Sequence, residues 1–170
     1  MITTRTGDIL EQPDLHAIVH QMNCFHTMGT GIARALRIKW PEVYEADKKT
    51  SYGDRMKLGT FSKAVVEGGR LWIYNLYSQI YSDGGEVKTD FLAMEKGLKN
   101  INSDLNTPRY YEGGIIRIGI PHGMGCGLAG GDWDRVIGIL NEIYDLGPGC
   151  NGRTYENYQL IIYKKEWGNG

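Results

Sequence analysis

Apolar positions follow two periods along this chain, and the switches between them mark its elements. Ile2 to Thr6 is short and extended, ending at Gly7-Asp8. His16 to Met22 is a second strand centred on Ile18 and Val19. From Gly31 the period changes: Ile32, Ala35, Leu36 and Trp40 recur at helical spacing. Pro41 suits the first turn of a new helix, which predicts Pro41 to about Ser51. Leu58–Glu67 and Leu71–Ser78 read as two strands joined by a tight turn at Gly68-Gly69. Tyr81 to Lys88 reads as loop. Phe91, Met94, Leu98, Ile101 and Leu105 then share one helical face, with Thr89 or Asp90 placed as its N-cap. After a loop at Thr107–Gly113, Ile115, Ile116, Ile118 and Ile120 make a nearly continuous apolar run, which fits a strand covered on both faces. Trp133, Val136, Ile137, Leu140, Ile143 and Tyr144 form the cleanest helical stripe, with Asp132 as its cap, and Tyr158–Tyr163 is a last strand. Strands alternating with helices predict an α/β fold: a three-layer α/β/α sandwich around a central mixed sheet of about six strands.

Composition narrows this picture. A length of 170 residues suits one domain, spanning 1–170, around one core. A net charge of -1 advertises no broad basic face and argues against general nucleic-acid binding. No apolar run approaches membrane-spanning length, and the first residues lack the basic-then-apolar order of a secretory signal. Cys24, Cys126 and Cys150 form no C-x-x-C pair, which implies a reducing compartment and a cytoplasmic location. Cys24 and Cys126 are expected as small packing residues. No set of His, Cys and carboxylates has metal-ligand spacing, and no cofactor is implied.

The candidate chemistry sits in two loops. Strand His16–Met22 runs into Asn23-Cys24-Phe25-His26-Thr27-Met28-Gly29-Thr30-Gly31, and strand Ile115–Pro121 into His122-Gly123-Met124-Gly125-Cys126-Gly127-Leu128-Ala129-Gly130-Gly131; each loop opens into a helix. Glycine lets the backbone approach a ligand closely, and the first N–H groups of a helix have no internal partner. Ligands of open α/β sheets sit at the carboxyl ends of strands. If the two strands are neighbours, the loops floor one cleft suited to a diphosphate. Neither loop carries G-x-x-x-x-G-K-[ST], which argues against a Mg²⁺-dependent ATPase. His20 is either a core histidine or an acid–base group, because an unperturbed imidazole titrates near neutrality. Asn23 and Asp8 are each either turn residues or ligand contacts, and His26 and His122 are loop residues or ligand contacts rather than catalysts.

Taken together, Thr6-Gly7-Asp8-Ile9-Leu10, Asn23-Cys24 with Met28-Gly29-Thr30-Gly31-Ile32-Ala33, and Ile120-Pro121 with Gly125-Cys126-Gly127-Leu128 and Asp132-Trp133 resemble the macro domain, the module that binds ADP-ribose. The resemblance covers nearly the whole chain. It implies that Asp8 accepts from the adenine amine beside the Ile9 N–H. It implies diphosphate and ligand contacts from Met28, Gly29, Thr30, Gly31 and Ile32 on the first loop. On the second it implies contacts from His122, Gly123, Met124, Gly125, Cys126, Gly127 and Leu128. Asn23 would meet the distal ribose.

His20-Gln21-Met22-Asn23 resembles the yeast- and phage-type ADP-ribose-1''-phosphate phosphatases, which implies removal of the terminal phosphate with His20 and Asn23 as catalytic residues. A second catalytic branch strips ADP-ribose from protein or nucleic acid and uses a Lys just after the strand ending near Ser78; this chain has Gln79 there, and an amide supplies no cationic amine. The nearest Lys is Lys88. A non-catalytic reader of ADP-ribose is the third reading. The expected partner is ADP-ribose or ADP-ribose-1''-phosphate, the expected assembly a monomer, and the expected location the cytoplasm, that of the host if the phage-type pattern reflects a viral origin.

Overall fold

The computed structural model describes residues 1–81, 86–106, 114–127, 129–145 and 157–165, with only the backbone of Tyr81 and Val87. The elements run β1 (Ile2–Thr6), β2 (Ala17–Asn23), α1 (Gly31–Lys39), α2 (Pro41–Lys48), β3 (Phe61–Val66), β4 (Leu71–Tyr81), β5 (Val87–Thr89), α3 (Phe91–Leu105), β6 (Ile116–Pro121), α4 (Trp133–Tyr144) and β7 (Tyr158–Lys164). The sheet order is β1-β7-β6-β2-β4-β3, with β5 paired to β4 alone. Five strands from β1 to β4 in that order are mutually parallel, whereas β3 and β5 run antiparallel to β4. The mixed sheet is therefore that of the expected three-layer α/β fold.

The two faces are separated by the strands' period of two. Ala17 and Val19 of β2, Tyr74 and Leu76 of β4, and Ile116, Ile118 and Ile120 of β6 pack against the apolar stripes of α3 and α4. Ile18 and Met22, Ile73 and Tyr77, and Ile161 face the other way, onto Leu36 of α1 and Val43 of α2. Every residue of β2 is buried, as its central place demands.

Three expected boundaries shift for local reasons. Helix α2 stops at Lys48 rather than about Ser51, where the Thr50 hydroxyl takes the Asp47 carbonyl. The strand expected from Leu58 begins at Phe61, because Asp54 caps a single 3-10 turn at Arg55–Lys57. The segment read as loop from Tyr81 to Lys88 contains the end of β4 and most of β5. Asp90 and Asp132 cap α3 and α4 as expected, through Ala93 N and Asp134 N. The loop at Thr107–Gly113, Cys150 and the last five residues lie outside or largely outside the described residues.

Gly97 marks the closest approach of α3 to the sheet. A Cβ there would run into Leu76 Cδ1 on β4, and Leu76 is fully buried. Overpacking of this kind costs roughly 1–3 kcal/mol. Gly97→Ala is expected to lower unfolding free energy by about that amount in urea titration, although alanine has the higher helix propensity. A stabilised variant would mean that α3 sits further from β4.

Candidate functional site

Strands β2 and β6 are adjacent and parallel, so the two glycine loops emerge side by side at one edge of the sheet. The carboxyl ends of β1, β7 and β4 reach the same edge. Together they border a cleft of about 1050 Å³. Its lining takes Gly7–Leu10 from the end of β1, Gln21–Asn23 from β2, Thr27 and Gly29–Ala33 from the first loop, Gln79 from β4, Pro121–Gly125 with Gly127 and Ala129 from the second loop, and Tyr163–Lys165 from β7.

Backbone donors dominate both walls. On one side α1 begins at Gly31, and its N-cap Thr30 makes no side-chain capping bond, which leaves the first-turn N–H groups of Gly31, Ile32 and Ala33, all lining residues, without a helical partner. Gly31 needs its φ of 56° to start that turn, a conformation glycine adopts without cost. On the other wall, His122 N donates to Tyr163 O, Met124 N to Pro121 O and Cys126 N to Gly123 O. The intervening N–H groups of Gly123, Gly125 and Gly127 take no acceptor among the described residues. Successive amides pointing one way make an anion-binding concavity. Among the described residues Asp8 is the one carboxylate of the lining, against Lys164 and Lys165.

At the β2 end the lining turns to neutral side chains. Asn23 Oδ1 accepts from Phe25 N at 2.8 Å, and Asn23 Nδ2 donates to the Thr27 hydroxyl. Gln79, in register with Asn23, donates through Nε2 to Gln21 Oε1 at 2.7 Å. Gln21 Nε2 donates onward to Ser78 O, Ser78 Oγ and Thr89 Oγ1. Thr89 of β5 closes the chain of bonds by donating to Gly125 O at 2.6 Å, while its N–H reaches Ala129 O. Through Thr89 alone, the short strand β5 thus ties the second glycine loop to β4. Sequence reading missed both Thr89 and Gln21 as positioning residues; a three-residue strand carries too few positions to show a period.

The expected site residues divide. Asp8, Ile9, Asn23, Gly29, Thr30, Gly31, Ile32, His122, Gly123, Met124, Gly125 and Gly127 are brought together in the cleft. Asp8 does double work: one carboxylate oxygen caps Leu10 N at 2.9 Å, and the residue still lines the cleft. Leu128 lies outside the described residues. Met28 is a correction, because its side chain is buried in the core under α1 and does not line the cleft. Cys126 is another, because its N–H is spent on Gly123 O and its thiol turns to Met124 O. Burial pushes the Cys24 and Cys126 thiols up.

His20 is the main correction. It shares a face with Ile18 and Met22, is wholly buried, and does not line the cleft. Its Nε2 lies 2.6 Å from Asn75 Oδ1, and Asn75 Nδ2 donates to Val43 O and Ser62 Oγ. Asn75 Oδ1 is therefore the acceptor, which assigns the proton to His20 Nε2 and leaves Nδ1 as a buried lone pair without a donor among the described residues. Burial, against the smaller effect of that bond, lowers its pKa to about 4. The ring is a neutral core group behind the sheet, so the expected catalytic role for it falls. His26 also faces away, with Nε2 on Thr50 Oγ1 at 3.2 Å. His122 does border the cleft, 4.8 Å from the Trp133 ring, and partial desolvation with Lys164 nearby pushes it down. Lys88 pairs loosely with Glu86 outside the cleft.

No family model matches the chain. The architecture is nevertheless that of a known class. The macrodomain of Thermus aquaticus DarG superposes with a TM-score of 0.67 over 96% of this chain and 98% of that one, at 20% identity. Thermosipho africanus DarTG, solved in complex with ADP-ribose, matches with a TM-score of 0.67 over 97% of this chain and 42% of that one, at 16% identity. The fold is that of a macrodomain.

Within that class the chain belongs to one family with an uncharacterized 17.5 kDa protein of the tk-vs intergenic region of Enterobacteria phage T4, which is 34% identical over 129 residues, 73% of this chain and 77% of the phage protein. A DNA ADP-ribosyl glycohydrolase of Mycobacterium tuberculosis is 23% identical over 185 aligned positions, covering 99% of this chain; the chain spans about half the length of that protein, 47%.

Proposed function

We propose that the cleft holds an ADP-ribosyl group and that the chain hydrolyses the bond at its distal ribose. One observation carries the reading: two glycine-rich loops on adjacent parallel strands face each other with unspent backbone donors. A diphosphate between them would meet Gly31, Ile32 and Ala33 on one side and Gly123, Gly125 and Gly127 on the other. Asp8 would accept from the adenine amine through the oxygen that Leu10 leaves open. Asn23 would then meet the distal ribose. The likeness to a structure holding ADP-ribose supports this placement.

The relatives described as DNA ADP-ribosyl glycohydrolases support release of ADP-ribose from a nucleic acid. Asn23, Thr27, Gln21 and Gln79 supply hydrogen bonds there and no titrating group. In this reading they orient water and the sugar, and effective alignment lowers the barrier in place of acid–base transfer. One observation favours a second reading, removal of the terminal phosphate from ADP-ribose-1''-phosphate. The same end presents no carboxylate among the described residues, so a dianion is not repelled.

The test offers the protein both substrates, following ADP-ribose released from a base-modified DNA strand and phosphate released from ADP-ribose-1''-phosphate. Asn23→Ala is expected to slow the productive reaction about 100-fold, with a smaller change in ADP-ribose affinity. ADP-ribose binding without turnover of either substrate would make the chain a reader. Absence of ADP-ribose binding would end the reading.

A further inference from the structure

The outer side of the first loop carries an aromatic cluster that the cleft does not use. Between Asn23 and Thr27, which both line the cleft, the chain leaves it through Cys24, Phe25 and His26, with Cys24 buried and His26 at a φ of 54°. Segment 49–57 is bound to this turn by Gly53 N on Cys24 O at 2.8 Å and by Lys57 Nζ on the same carbonyl at 3.4 Å. The Tyr52 ring makes T-shaped contacts with Phe25 and His26, at centroid distances of 5.6 and 5.5 Å. Two rings thus brace it, yet Tyr52 is 71% exposed, and nearby Met56 is 83% exposed.

Lone exposed hydrophobic residues are ordinary, but Tyr52 is held by two ring contacts while most of it stays exposed. Lys49 and Arg55 are exposed in the same segment. Phe25 follows Asn23 by two residues, a chain distance of about 7 Å. The patch therefore lies next to the end of the cleft where a group joined to the distal ribose would emerge.

We propose that Tyr52, backed by Phe25 and His26, is a stacking platform for a nucleobase of single-stranded nucleic acid flanking an ADP-ribosylated base, with Lys49 and Arg55 facing its phosphates. The proposal rests on the reading of the cleft as an ADP-ribosyl site. An exposed aromatic ring on a segment that also carries exposed cations is the combination that holds unpaired strands, whereas an acidic peptide would need the cations alone. The net charge of -1 argues against extended duplex binding.

The experiment uses the full chain and three probes: free ADP-ribose, a five-nucleotide DNA strand joined at its central base to ADP-ribose through a non-hydrolysable carbon linkage, and a peptide carrying ADP-ribose. The strand is expected to bind about tenfold more tightly than free ADP-ribose. Tyr52→Ala should remove that gain and leave free ADP-ribose unchanged, while Tyr52→Phe retains it. Lys49→Glu with Arg55→Glu should weaken the strand and flatten its salt dependence. A strand that binds no better than free ADP-ribose, equal effects of Tyr52→Ala on both, or an equal gain from the peptide would overturn the platform while the cleft reading stands. Failure of free ADP-ribose to bind would overturn both.

Discussion

Gly127→Glu is expected to weaken ADP-ribose binding about a hundredfold and leave the fold intact. Gly127 lies outside the left-handed region, and a Cβ placed there meets no heavy atom within 4 Å. The side chain thus enters open space at the cleft wall rather than the core. A carboxylate roughly 6 Å from one diphosphate charge, at an effective dielectric of about 20, is unfavourable by about 3 kcal/mol, or roughly a hundredfold in affinity. Gly127→Gln, of the same size without the charge, separates repulsion from obstruction, and the difference between the two should shrink as salt rises. Calorimetric titration with ADP-ribose, alongside urea unfolding, reads both parts. Undiminished affinity in the Glu variant would move the diphosphate away from the second loop. Gly125 is the contrasting position. Its φ is 79°, and a Cβ would lie 3.1 Å from Gln21 Oε1, Met94 Cε and Thr89 Oγ1, so substitution there strains the loop as well as the site.

The loops were legible because their chemistry is written in glycines. Gly29, Gly31, Gly123, Gly125 and Gly127 interrupt apolar runs at the points where strands must end, and that pattern alone placed most of the cleft. What it could not place were the side chains between those glycines. Met28 stands in the middle of the first loop motif, yet its apolar side chain goes to the core as any methionine beside a helix start would. Cys126 sits among donors but has spent its own N–H in a tight turn. Thr89 and Gln21 act through bonds between β5, β4 and the second loop, and such long-range bonds leave no mark on local spacing.

Strand β2 shows the limit most clearly. Its seven residues are all buried, so its alternation carries no contrast between a wet and a dry face. Parity puts His20 with Ile18 and Met22, but only the packing of α1 and α2 reveals that this is the face beneath the helices.

The burial of His20 makes stability depend on acid in a way that one variant isolates. An imidazole whose folded pKa lies below its unfolded value near 6.5 binds fewer protons in the folded state. Its contribution is fully present above pH 6.5 and is lost as pH falls through the interval from 6.5 down to about 4, where the folded ring also protonates. Between pH 7.5 and 4.5 the loss is about 2.5 kcal/mol, from 1.36 kcal/mol per pKa unit. His20→Gln keeps an N–H to give Asn75 Oδ1 and cannot titrate. Urea unfolding at the two pH values is expected to show the variant losing about 2.5 kcal/mol less than the wild type, whatever the two share from other groups. The same variant is expected to turn over substrate within a factor of about two of the wild type at pH 7.5, because the ring touches Asn75 and not the cleft. Parallel pH dependences would mean that His20 protonates as readily folded as unfolded. A folded variant without activity would return the imidazole to the reaction and require the face of β2 beneath α2 to open to substrate.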